Sequence, residues 1–117
     1  SNPESLATLA RIDAWEVGIL AYLLDRMAES EVDGASLLDH TTVYFSSEIE
    51  DGNSHRHYDL PVVVAGRAGG LQTGRYLDLR AQERNNEPVA NLFMRFLEDA
   101  GAPVESFGDD GTRALDV

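Results

Sequence analysis

The chain has 117 residues, 9 basic against 21 acidic side chains, a formal net charge of −12 and no cysteine. That length suits one domain with a modest core, and the missing cysteines exclude a disulfide scaffold, a cysteine nucleophile and a thiolate metal site. All of the basic residues are Arg, which excludes lysine chemistry, and the acidic balance argues against nucleic acid and anionic membranes, which need an electropositive face.

In chain order, the first predicted element is a long amphipathic helix from Pro3 to about Ser30, capped by Asn2. Leu6, Leu9, Ile12, Trp15, Ile19, Leu20, Leu23, Leu24 and Met27 recur at steps of three and four, building one apolar stripe. Its longest apolar stretch, Val17 to Leu24, falls well short of the roughly 20 residues of a membrane span. Asp33-Gly34 signals a turn. Leu37 and Leu38 suit a short turn or helix, and a structural turn role suits His40, beside Asp39.

Thr41 to Ser46, rich in β-branched and aromatic residues, predicts a strand. Ser47 to Tyr58 is a polar loop centred on Asp51-Gly52-Asn53. Leu60 to Ala65 predicts a second strand, apolar enough for burial on both faces. After a glycine-rich turn, the alternation in Gly74 to Leu79 predicts a short third strand in a hairpin, and a polar linker runs from Arg80 to Asn86. Val89, Leu92, Phe93, Phe96, Leu97 and Ala100 place a second helix between Pro88 and Gly101. Residues 105–117 are expected to form an extended acidic tail. The expected fold is therefore α/β: one domain over 1–117, with a small mixed sheet of about three strands flanked by an N-terminal and a C-terminal helix.

The chemistry-bearing residues gather in the loop between the two strands. His55 and His57 form a His-x-His pair that an extended segment would place on one side, and imidazoles with carboxylates such as Glu48 and Asp51 suit a divalent metal. Arg56 between them suits a forked contact to an anion. The same residues also suit a solvated loop, since Asp-Gly-Asn is turn chemistry. No Gly-x-Ser-x-Gly elbow surrounds Ser46, Ser47 or Ser54, and Gly66 to Gly70 does not have the dinucleotide-binding spacing.

The segments Leu37 to Glu48, Asp51 to His55 and Asp59 to Gly66 with Gly69-Gly70, together with Gly101 to Asp109 and the Asn-Pro-Glu opening, resemble the C-terminal part of the HxxSHH-motif family, domain of unknown function 1552. The motif that names that family would lie upstream. The resemblance implies that this chain is the C-terminal portion of a larger protein, with Ser1-Asn2 at an excision point. That family is in turn similar to the alkaline phosphatase and sulfatase group. Asp39, Thr42 to Ser47 and Leu60 to Ala65 resemble segments of that group, in which a carboxylate and an imidazole after the first strand bind metal. Here those positions are Glu48 and Ile49, so a carboxylate is kept, the imidazole is lost, and His55 or His57 would replace it.

The resemblance therefore implies part of a larger alkaline-phosphatase-like fold. It implies a metal-dependent hydrolase-like protein acting on a phosphate or sulfate ester, with Glu48, Asp51, His55 and His57 as metal ligands and Arg56 as the anion contact. Zinc, manganese or calcium would be the metal, the nucleophile would lie upstream, and the location would be periplasmic or exported. The competing expectation is a non-catalytic binding or structural module with a solvated His/Asp loop. A further expected partner is a second copy, meeting apolar surface that the missing part would otherwise cover.

Overall fold

A computed structural model describes residues 2–80 and 87–117. The fold is mixed α/β: a long N-terminal helix, a C-terminal helix and two small antiparallel sheets of two strands each. The chain divides into two compact units, Ser1–His40 and Thr41–Val117.

In the first unit, α1 spans Pro3–Glu29. The Asn2 side chain accepts from the Glu4 N–H at 3.0 Å, and Pro3 sits where a missing donor costs nothing. The helix ends at Ser30, whose hydroxyl donates to the Arg26 carbonyl at 2.7 Å. The Asp-Gly turn closes a hairpin of β1 (Glu31–Val32) and β2 (Ala35–Ser36), pairing Val32 with Ala35 and Glu31 with Ser36. A single 3₁₀ turn, Leu37–His40, follows. Its capping box is reciprocal: the Asp39 N–H donates to the Ser36 hydroxyl, and the Asp39 carboxylate accepts from the Ser36 N–H, both at 3.2 Å. His40 bonds back to the Val32 carbonyl through Nε2 at 3.1 Å, which gives it the structural role expected of it. Leu20 is buried, whereas Leu9, Ile12, Trp15 and Ile19 remain largely exposed.

In the second unit, β3 (Thr42–Ser46) and β4 (Val62–Gly66) pair antiparallel, Thr42 opposite Gly66 and Ser46 opposite Val62. Helix α2 (Val89–Asp99) lays its aromatic face on this ladder, with the Tyr44 ring edge-on to Phe93 at 5.1 Å and to Phe96 at 6.4 Å. Among the described residues of this unit, Leu71, Ala90, Leu92, Met94 and Leu115 are the buried apolar ones. Past Ala100, the Gly101 and Ala102 N–H groups return to the carbonyls of Glu98 and Leu97, at 2.9 and 2.8 Å.

Three expectations need correction. The apolar β4 run is not covered on both faces: Val62 and Val63 stay 38% and 46% exposed, because the ladder has only two strands. Gly74 to Leu79 is not a strand. There the Asp78 carboxylate takes the Arg80 N–H at 3.1 Å and its Nε at 2.8 Å, and Arg75 bonds the Gln72 carbonyl at 2.9 Å. Such local side-chain bonds compete with a ladder. Of the expected linker, residues 81–86 lie outside the described residues.

The third correction concerns residues 105–117, which are not an extended tail. Phe107 and Gly111 exchange backbone bonds at 3.1 and 3.0 Å, and the segment returns to α2. The buried Asn91 side chain accepts from the N–H groups of Thr112 and Arg113, the Asn91 backbone carbonyl accepts from the Leu115 N–H, and one Arg113 nitrogen donates to both Glu87 oxygens at 2.7 and 2.8 Å.

Candidate functional site

The loop between β3 and β4 leaves the sheet at Ser46 and rejoins it at Val62. Its two ends are tied by the Ser46 hydroxyl, which bonds the Pro61 carbonyl at 2.9 Å. A second tie, from the Glu50 N–H to the Arg56 carbonyl at 2.8 Å, closes the tip. Inside that tip, Asp51 forms the turn that Asp-Gly-Asn predicts. Its carboxylate accepts from the Asn53 N–H at 2.9 Å and from the Ser54 hydroxyl at 2.8 Å. These bonds, Ser54 first, with Arg56 adding charge, hold the Asp51 carboxyl below the usual carboxylate range.

Arg56 is committed inside the loop. Its guanidinium pairs with Glu50, stands 3.9 Å from an Asp51 oxygen, and lies 5.6 Å from the centre of the Tyr58 ring. The bond to Tyr58 and the charge of Glu50 strengthen its hold on its proton. An incoming anion therefore has to displace Glu50 to obtain a forked contact. One polar atom of the group, Arg56 Nε, is buried without a partner.

The two histidines part ways. His55 takes a left-handed backbone (φ 51°), so the segment is not extended and strand alternation does not bring the imidazoles to one side. Among the described residues His55 has no hydrogen-bond partner. His57 Nδ1 lies 3.1 Å from the Glu48 carbonyl. A carbonyl only accepts, so Nδ1 carries a proton, and in the neutral ring the lone pair is then on Nε2. The structure thus joins Asp51 with Arg56, and His57 with the backbone of Glu48. It does not gather the four predicted ligands: among the described residues no three His, Asp or Glu side chains form a group that can hold a metal ion.

Glu50 and Tyr58 are the members of this site that sequence reasoning missed. The only available signal was a carboxylate and a ring within a few positions of Arg56, which any polar loop provides. A concavity of the same unit, about 350 Å³ and open to solvent, is lined by Arg95, Glu98, Asp99, Ala114, Leu115 and Asp116. Its one cation, Arg95, is already bonded to Asp99, Gly69 and Val117.

No protein-family model, curated protein or solved structure matches this chain. No helix among the described residues is long and apolar enough to cross a membrane.

Proposed function

We propose that the β3–β4 loop is the ligand-bearing edge of a metal-dependent hydrolase-like protein acting on a phosphate or sulfate ester. The observation that carries this reading is the orientation of His57. Histidines that bind metal usually donate the other ring N–H to a carbonyl or carboxylate, which fixes the tautomer and aims the free nitrogen. His57 has that arrangement on Glu48, with an exposed side chain. On this reading Nε2 of His57 is the primary donor, while His55, Glu48 and Asp51 are donors that the ion would draw in. Zinc and manganese suit such nitrogen and oxygen donors better than calcium, which prefers oxygen alone. Arg56 joins when the anionic ester takes the place of Glu50.

The competing reading is a non-catalytic module. It is favoured by the Glu50–Arg56–Tyr58 group, which satisfies its own charges within the loop.

Calorimetric titration of zinc, manganese and calcium into the chain separates the two. The proposal expects saturable zinc binding that weakens at least tenfold in His57→Ala and less in His55→Ala. Absence of binding by all three ions, or unchanged affinity in His57→Ala, removes the metal reading. The proposed second copy would meet the apolar side of α1, where Leu9, Ile12 and Trp15 are exposed. Sedimentation equilibrium over a concentration series reads it, and a monomer throughout ends that part of the proposal.

A further inference from the structure

The sequence holds three Asp-Gly bonds: Asp33–Gly34, Asp51–Gly52 and Asp110–Gly111. A glycine after aspartate leaves its amide nitrogen unhindered, so this dipeptide is the one in which the nitrogen most readily reaches the side-chain carboxyl carbon. Whether it does so depends on what holds the two groups apart, and the fold treats the three bonds differently.

At Asp110–Gly111 the attacking nitrogen is occupied. The Gly111 N–H donates to the Phe107 carbonyl at 3.0 Å, and Gly111 is buried where even a Cβ would meet that carbonyl at 2.4 Å. At Asp51–Gly52 the carboxyl is occupied. It is fixed by the Asn53 N–H and the Ser54 hydroxyl, which bend it towards the residues beyond Gly52. At Asp33–Gly34 neither group is held. Among the described residues the Asp33 carboxyl and the Gly34 N–H have no hydrogen-bond partner, Asp33 is exposed, and nothing stands within 4 Å of the place of a Gly34 Cβ. The backbone there is also the least comfortable for an aspartate, with φ 50° at Asp33 followed by 81° at Gly34. The strands that clamp the turn are two residues each, and both residues of β1 are exposed, so opening the turn costs little.

We propose that Asp33 is a site of spontaneous aspartate isomerisation, and that the fold shields the other two Asp-Gly bonds. The Gly34 nitrogen attacks the Asp33 side-chain carboxyl carbon. A C–N bond forms, the nitrogen gives up its proton to solvent, and the carboxyl oxygen leaves as water, closing a five-membered succinimide. Water then opens the ring. Attack at the former side-chain carbonyl restores aspartate; attack at the former backbone carbonyl leaves isoaspartate, with the chain running through the β-carbon. One water leaves and one returns, so mass is unchanged and no oxidant takes part. The added backbone methylene no longer fits a two-residue turn, so the Val32–Ala35 pairing is lost, and with it the Val32 carbonyl that His40 holds.

The test is prolonged incubation of the whole chain in mildly acidic buffer. Peptide mapping by electron-transfer fragmentation and labelling by an isoaspartyl methyltransferase then resolve each site. A parallel incubation in concentrated urea removes the fold. The folded chain should accumulate isoaspartate at Asp33 several-fold faster than at Asp51 or Asp110. Urea should bring the three rates together, and Asp33→Glu should abolish the first product. Three results would each overturn the proposal: equal rates in the folded chain, the same Asp33 excess in urea, or no Asp33 product once the unfolded chain has converted.

Discussion

Asn91 ties the C-terminal segment to α2. It is 3% exposed, and each of its polar groups has a partner: Oδ1 takes the N–H groups of Thr112 and Arg113 at 2.9 and 3.3 Å, and Nδ2 donates to Glu87 at 2.7 Å. Asn91→Ala leaves two backbone donors without their acceptor, a loss of about 2 kcal/mol or more. Urea unfolding should show that loss, and amide exchange at Thr112 and Arg113 should accelerate ahead of that in α2. Asp78 offers a test by titration. The Arg80 side chain first, and its N–H second, lower the Asp78 pKa from 3.8 to about 2. A lowered carboxylate pKa contributes its stability above pH 3.8 and loses it as the pH falls through about 2. Carboxyl NMR should find that low midpoint, and Arg80→Ala should return it towards 3.8. Neither role is legible in the sequence. Asn91 lies among the apolar positions of α2 with nothing nearby to mark it, and the two amides its oxygen accepts from stand more than 20 residues away. Asp78 looked like the polar half of a strand alternation.

The elements differ in how openly the sequence declares them. Both helices follow from period and caps, because an i, i+3, i+4 repeat and an Asn-Pro start act within a few residues. The β1–β2 hairpin was readable only as a turn, since two-residue strands have no period to recognise. Gly74 to Leu79 has the period of a strand but joins no sheet among the described residues, and its Asp and Arg bond locally instead. Two glycines give opposite predictions at this scale. Gly18 lies within α1 with nothing within 4 Å of a Cβ, so Gly18→Ala should stabilise by about 0.5–1 kcal/mol. Gly69 has φ 64°, and a Cβ there would meet Asp99 atoms at 2.2–2.4 Å. Gly69→Ala should therefore cost about 1–3 kcal/mol through overpacking. Thermal unfolding of the two variants side by side should show melting points moving in opposite directions.

For the whole molecule the governing quantity is charge. Its net charge is −12, and Arg26, Arg56, Arg80, Arg95 and Arg113 are each engaged by a carboxylate. Such a field draws in divalent cations and repels a phosphate or sulfate ester. On the proposed reading the cation comes first, and the ester approaches only where that cation has reversed the local potential. Zinc affinity measured by calorimetry should therefore fall as salt is added, because the attraction is screened. The region of the site was legible in the sequence, since no other stretch collects two histidines and several carboxylates; its wiring was not. Which residue claims Arg56, and which nitrogen of His57 faces the Glu48 carbonyl, depend on backbone angles such as φ 51° at His55 that composition does not encode. The most direct test of the central claim is long-range ¹H–¹⁵N NMR of the His57 ring before and after zinc. The ring should carry a proton on Nδ1 without metal and show a zinc-induced shift at Nε2. A proton on Nε2, or a spectrum that zinc leaves unchanged, would contradict it.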